Sequence, residues 1–458
     1  MYERRRPNAG TSALHALVGA VTFAFGVGVA LAEPPPNVVL ILSDDQAWDD
    51  YGFMGSNVVK TPHLDELASR SLVYERGYVV SPLCRPSLAS IVTGLHPHEH
   101  GVVGNDVSPA RREARDAEDR PVRAAFHEKE SLVRFLVERG YLAFQSGKWW
   151  EGSARDGGFT HGMTHGEPTR GGRHGDIGLG IGREGLAPVA EFLDLAREAE
   201  KPFFLWYAPF LPHTPHNPPE RLLASYLDKM PGLSEGAVKY YAMIEWFDET
   251  CGDLLRHLDE RGLRENTLVV YVCDNGWRAA DAASAPLPKE WWNDYAPKSK
   301  GSPYEGGVRT PILFSLPGKL APRREMGFAS SIDIFPTIAS LCGFGVPERL
   351  SGFDLTATQR DQLVGSAYSI HNMTPGEPFD TLQYGWLREG DWKFLLRHHG
   401  TDDTRYRTVH EWDRVPVQLF DLSADPEETK NVASEHPALV ERFSHILSDT
   451  FSPFAISP

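Results

Sequence analysis

Cysteine is scarce in this chain. The 458 residues hold four, at positions 84, 251, 273 and 342, scattered without the spacing of a disulfide framework. Basic charge is also in deficit. Lysine and arginine total 46 against 62 aspartates and glutamates, a net charge of -16, which argues against nucleic acid as the main partner. No low-complexity tract and no repeat at solenoid periods is present. What remains is a globular composition, 41% hydrophobic and 24% charged, in a chain too long for one simple core.

The chain opens on MYERRRP, a positive segment, followed by the apolar run ALHALVGAVTFAFGVGVALA. Its end, Ala30-Leu31-Ala32, is an A-x-A cleavage signature, so residues 1–32 are predicted to be a signal peptide and the protein to be exported, periplasmic or secreted. The run approaches spanning length, but its glycines and the following Glu33-Pro34-Pro35-Pro36 favour cleavage over a stable membrane anchor.

NVVLILSDD (37–45), KPFFLWYAP (201–209) and NTLVVYVCDN (266–275) are continuous apolar runs closed by polar residues, and TPILFSLPG (310–318) has a similar form. They read as central parallel strands, buried on both faces. Helical patterns lie between them: PHLDELASRSL, EKESLVRFLVERG, GLAPVAEFLDLAREAE and YYAMIEWFDETCGDLLRHLDERG. The alternation predicts an α/β fold with a large doubly wound, mostly parallel sheet flanked by helices. Residues 105–130 and 152–185 read as long loops. After about residue 365 the pattern changes to short strands and a terminal helix. The predicted domains are a catalytic domain over 33–365 and a smaller C-terminal α+β subdomain over 366–458.

In such sheets ligands bind beyond the carboxyl ends of the strands. Asp44 and Asp45 end one apolar run; Asp274 and Asn275 end another. Together they would make an all-oxygen site suited to Ca²⁺ or Mg²⁺ rather than zinc. His96, His98, Glu99 and His100 do not make a zinc site, because Pro97 interrupts the run. Cys273 and Cys342 lie in apolar runs and read as core residues, while Cys251 is undecided.

Cys84 stands apart. In SPLCRPSLASIVTG, Pro86 suits a first helical turn, Leu88, Ile91 and Val92 give apolar spacing, and Gly94 can end the helix. Cys84 then sits where free N–H groups and the helix dipole favour an anion, and its thiol pKa is expected to be lowered. A half-buried neighbour of a cap remains an equal reading of these residues alone.

Cys84-Arg85-Pro86-Ser87-Leu88-Ala89-Ser90-Ile91-Val92-Thr93-Gly94 resembles the C-x-P-S-R-x-x-x-x-T-G signature of the type I, formylglycine-dependent sulfatases of the alkaline phosphatase superfamily. NVVLILSDDQAWDDYG, GYLAFQSGKWW (140–150), PHTPH (212–216), DNG (274–276), KGSPYEGGVRTP (300–311), DIFPTIASLCG (333–343) and LFDLSADPEETKNVA (419–433) resemble further blocks of that family, in the same order. The resemblance implies hydrolysis of a sulfate ester on a small molecule or saccharide, with a formylglycine-generating enzyme oxidising Cys84 to an aldehyde that hydrates to a geminal diol. By motif match Asp44, Asp45, Asp274 and Asn275 would hold Ca²⁺ (Mg²⁺ second), with the modified Cys84 as a further ligand. One diol oxygen would attack sulfur in line. Lys148 and Lys300 match the sulfate-binding lysines, and His213 matches the histidine that protonates the departing alcohol, with His216 in reserve. The second diol hydroxyl would then expel sulfate.

Two positions depart from the family. Leu88 stands where the signature has arginine, and Trp150 where a histidine follows Lys-Trp. Arg85, Arg170, Arg173 or His174 could supply the missing charge, and His161 or His165 the missing imidazole. His165 and Arg173 are accordingly candidates for substrate binding. A phosphodiester or phosphonate hydrolase of the superfamily, or a non-catalytic carbohydrate-binding relative, are the alternatives. Trp149, Trp150, Trp291 and Trp292 could stack sugar rings at the surface or pack internally.

Overall fold

The structure is a computed structural model, in which residues 34–107, 112–166, 174–227, 233–278, 296–369, 373–398 and 415–454 are described. The chain divides into Met1–Pro34 and Pro35–Pro458, and all of the described strands and helices belong to the second unit. The predicted export segment lies outside the described residues. Among the described residues no helix is long and apolar enough to cross a membrane.

Eight strands form the main sheet: β1 (Asn37–Ser43), β2 (Leu72–Tyr78), β3 (Leu142–Gly147), β4 (His161–Gly162), β5 (Phe203–Ala208), β6 (Thr267–Cys273), β7 (Arg309–Ser315) and β8 (Arg323–Ser330). They lie in the order β4-β3-β5-β1-β6-β7-β2-β8. Every residue of β1, β5 and β6 is buried, as continuous apolar runs require when both sheet faces are covered. The helices Pro62–Ser69, Ala187–Glu198 and Glu235–Glu260 occupy stretches with the expected periodicity, the last starting five residues earlier than the pattern suggests. The fold is therefore the expected α/β sheet, mostly parallel.

Two expectations fail. β7 is antiparallel to both of its neighbours, β6 and β2. Its apolar run says that it is buried, and burial does not encode direction. The stretch 105–130 is not a loop throughout, because Arg112–His127 is a helix despite Pro121. Its low apolar content hides it, since half of that helix is charged.

A second, antiparallel sheet orders β12 (Val417–Asp421), β11 (Trp392–Arg397), β10 (Leu382–Glu389) and β9 (Gln362–Tyr368). The helix Pro437–Thr450 packs on β10 and β11. Leu363, Trp386 and Phe394 of these strands join one core cluster with Leu40 and Val270 of the main sheet.

Register decides what meets at the carboxyl edge. β1 and β6 pair with Ser43 opposite Cys273, so Asp44 and Asp45 emerge beside Asp274 and Asn275. β3 and β5 pair with Gly147 opposite Ala208, which brings Lys148 to the same edge. Gly147 has φ 84°, and a Cβ there would lie 1.9 Å from the Ala208 carbonyl, so only glycine fits this strand end. Because β7 runs backwards, its entry and the Lys300 segment before it also face this edge.

Candidate active site

Cys84 is the first residue of the helix Cys84–Thr93, which Gly94 ends at φ 67°. All ten helical residues are buried. The Arg85 N–H donates to Asn105 Oδ1 at 3.2 Å, and Pro86 has no N–H. The helix start thus offers its dipole rather than the expected array of free donors.

Five segments converge beside it. Lys148 Nζ donates to Asp44 Oδ1 at 2.6 Å and to Asp274 Oδ2 at 3.0 Å. Lys300 Nζ lies 2.6 Å from both Asp45 oxygens and 3.2 Å from Cys84 Sγ. Asn275 Nδ2 donates to Asp45 Oδ1 at 2.7 Å, and the Asp45 N–H to Asp274 Oδ1 at 3.1 Å. His213 Nε2 stands 3.5 Å from Asp45 Oδ2. Asp45 holds the centre with a left-handed backbone, φ 65°.

The charges are unevenly satisfied. Burial, with Asp45 alongside, raises the Asp44 carboxyl against the pull of Lys148. Burial and Asp44 push Asp274 up to about 7. Burial also opposes the Asp45 charge, but Lys300, His213 and Lys148 together hold its carboxyl well down. Burial works against the Lys148 ammonium too, yet Asp274 and Asp44 outweigh it and raise its pKa. Three carboxylates face two lysines, so the cluster can take more positive charge.

Two buried oxygens, Asp44 Oδ2 and Asn275 Oδ1, have no hydrogen-bond partner among the described residues. Ligand atoms of Asp44, Asp45, Cys84 and His213 lie within 4.8 Å of one another and could hold a metal ion. Hard oxygen donors with unmatched negative charge fit a divalent cation.

Cys84 itself overturns one expectation. Burial pushes its thiol up to about 12, although Lys148 and Lys300 pull the other way. Desolvation with Asp274 and Asp45 nearby exceeds what the helix dipole returns. An unmodified Cys84 is therefore a protonated, poor nucleophile at neutral pH.

Leu88, the first of the two departures, is buried in the core cluster that contains Trp149 and the second, Trp150. Those tryptophans are only 4% and 7% exposed, so they pack internally and offer no surface for sugar stacking; Trp291 and Trp292 lie outside the described residues. Arg85 is buried with its guanidinium bidentate to Glu151 (2.7 and 2.8 Å) and to Asp119 (2.6 and 3.1 Å) of the helix Arg112–His127. Its charge is neutralised there. His161 sits on β4 against Phe192, its Nδ1 2.9 Å from Thr160 Oγ1. His165 is exposed, its backbone N–H donating to Asp176. Arg170 and Arg173 lie outside the described residues. His174 packs edge-on against Trp150, with ring centroids 4.4 Å apart, and lies 6.1 Å from the His213 ring. His216 lies against Trp277 and Tyr240. All four cysteines are free and buried, which settles Cys251 as a core residue.

Sequence reasoning misses Glu151 and Asp119 as the partners of Arg85. Glu151→Leu leaves a buried guanidinium with one carboxylate, and a loss of about 3 kcal/mol in urea unfolding is expected. An unchanged midpoint would show that the pair does not hold this wall of the site.

The sulfatase family pattern matches residues 36–344, more than half of the chain. The chain belongs to the sulfatase family. The pattern described as N-sulphoglucosamine sulphohydrolase, C-terminal, matches residues 298–449. Arylsulfatase A of Homo sapiens is 28% identical over 476 residues, covering 90% of this chain and 86% of that protein. An N-acetylgalactosamine-6-O-sulfatase of Bacteroides thetaiotaomicron is 24% identical over 498 residues, covering 90% and 92%. Among solved structures, a protein in complex with its substrate D-glucosamine-2-N,6-O-disulfate superposes with a TM-score of 0.67 at 18% identity, covering 92% of this chain and 98% of that one. A phosphonate monoester hydrolase of Agrobacterium radiobacter shares the fold with a TM-score of 0.64 at 19% identity, covering 92% and 96%. This sulfatase is a sulfuric ester hydrolase. Its family typically uses a metal and a formylglycine, and the Asp44, Asp45, Cys84 and His213 group is one that can hold an ion.

Proposed function

We propose that this sulfatase is exported and acts on a sulfated saccharide, with Cys84 matured to formylglycine by a separate enzyme and with Ca²⁺ held by Asp44, Asp45, Asp274 and Asn275. The observation that carries the proposal is the pair of unpartnered oxygens, Asp44 Oδ2 and Asn275 Oδ1, buried in a cluster with surplus carboxylates beside Cys84. When present, the aldehyde would supply a hydrated carbonyl as nucleophile and the metal would supply positive charge.

The chain's own residues do the rest. Lys148 and Lys300 present ammonium groups that neutralise charge growing on the sulfate oxygens. The dipole of the Cys84–Thr93 helix adds to their field. His213 faces Asp45 through Nε2, while its Nδ1 lies 2.6 Å from the Thr214 carbonyl. A carbonyl can only accept, so Nδ1 carries a proton and Nε2 is the atom that exchanges one with the leaving alcohol. Burial and the two lysines hold His213 down to about 3 against the pull of Asp45. The negative charge of a bound sulfate ester acts in the opposite direction and favours the imidazolium.

The test joins two measurements on protein from a host that matures sulfatases. Mass spectrometry of the peptide containing Cys84 is expected to find the aldehyde. With Ca²⁺ the protein is expected to release sulfate from sulfated mono- or oligosaccharides faster than it cleaves a phosphonate monoester. Calcium is also expected to raise the thermal midpoint of the wild type and not of Asp44→Asn. An intact thiol, or a preference for the phosphonate ester, defeats the proposal.

A further inference from the structure

We infer that Arg183 is a positioning residue for His213, fixing the segment that carries it through bonds to three of its residues. The inference rests on the reading of His213 as the proton donor and extends it to a residue outside the cluster.

The segment Phe210–Asn217 leaves the end of β5 with two cis bonds, Leu211–Pro212 and Thr214–Pro215. On the sheet side it is tied by the Asp44 N–H, which donates to the Leu211 carbonyl at 3.0 Å. One further side chain reaches three of its residues. Arg183 Nη1 donates to Asn217 Oδ1 at 2.6 Å, and Nη2 to the Phe210 carbonyl at 2.7 Å and the His213 carbonyl at 3.4 Å. The guanidinium lies 5.4 Å from the Trp246 ring centroid, on the helix Glu235–Glu260. A rigid fork with charge-assisted bonds suits this task, whereas a lysine ammonium could not span all three acceptors.

The two carbonyls flank the elements that orient the imidazole. The His213 ring stacks on the Phe210 ring at 4.2 Å, and its Nδ1 is held by the next carbonyl, that of Thr214. Moving the Phe210 or His213 backbone therefore moves Nε2. A displacement of about 1 Å at a proton-transfer atom can lower a rate by about 10²-fold.

Such a role has a signature that a general packing role lacks. Expulsion of a poorly acidic alcohol needs the proton, whereas a nitrophenol leaves readily as its anion. In the matured, Ca²⁺-loaded enzyme, Arg183→Met is expected to lower kcat on an alkyl sulfate about 10²-fold, with under about threefold change on 4-nitrophenyl sulfate and in KM. His213→Ala is the benchmark and is expected to show the same split, larger. Arg183→Lys, which keeps one bond, is expected to recover about tenfold on the alkyl sulfate. Equal losses on the two substrates in Arg183→Met, with the split intact in His213→Ala, overturn the positioning role alone. Absence of the split in His213→Ala itself overturns the proton-donor reading, and this inference with it. If Arg183→Met does not fold, Arg183→Lys and Asn217→Ala carry the test: each is expected to show a smaller split of the same sign, and its absence from both rejects the inference.

Discussion

Cys84→Ala is expected to abolish sulfate ester hydrolysis, lowering turnover by about 10⁴-fold or more while the protein remains folded. Cys84 is the one thiol among the described groups that surround Lys300 and Asp45, so its removal takes away the proposed attacking atom and leaves binding and electrostatics. The residue is buried at a helix start and loses one sulfur, a change of about 1 kcal/mol or less in a site already lined by polar groups. The comparison is made against wild-type protein in which the aldehyde has been found, with 4-nitrophenyl sulfate as substrate and circular dichroism as the check on folding. Activity of the alanine variant within tenfold of wild type would remove Cys84 from the chemistry.

Lys148→Met is the second large effect, and it strikes stability and rate differently. Lys148 Nζ bridges Asp44 and Asp274, and all three side chains are nearly sealed from solvent. Methionine keeps much of the side-chain length and leaves two adjacent carboxyls without their cation. The metal-free variant is expected to lose about 3–5 kcal/mol in denaturant unfolding, the penalty for removing one partner of a buried pair. Calcium is expected to restore much of that loss, since it supplies positive charge to the same carboxylates. The rate behaves otherwise: kcat is expected to stay about 10²–10³-fold down even at saturating Ca²⁺, because the variant lacks the ammonium proposed to neutralise charge on the sulfate oxygens. A metal-free variant as stable as wild type, or a kcat restored by calcium, would show that Lys148 serves only as a stand-in for the ion.

The sequence makes the sheet legible because runs such as Asn37–Ser43 and Thr267–Cys273 are apolar without alternation, a pattern that only double-sided burial explains. The polar residues closing those runs can be picked out for the same reason, since charge abruptly follows seven buried positions. The direction of β7 is not legible, because an apolar run has the same composition read either way. The helix Arg112–His127 is hidden by its charge, and its Asp119 finds Arg85 only in three dimensions. The state of the Cys84 thiol escapes the sequence for a related reason. A helix start is visible there, but burial in the folded core and the added charges of Asp274 and Asp45, both more than thirty residues away, arise only in three dimensions. Arg183 gives no signal at all, since its acceptors are mostly backbone carbonyls, which every residue has.

The register that brings the strand ends together also sets when the site can exist. The bond between Asp45 and Asp274 spans 229 residues, and that between Cys84 and Lys300 spans 216. Closing loops of that length is slow, and their contacts are made only after the chain between them has collapsed. A partly folded chain holding β1, β3 and β5 has two of the three carboxylates and no cage. An ion that needs the whole cage gains nothing in the folding transition state if β6 has not yet docked. Its stabilisation then falls on the escape from the native state: with Ca²⁺ as the proposed ion, calcium is expected to slow unfolding far more than it speeds folding, a kinetic lock on a finished molecule.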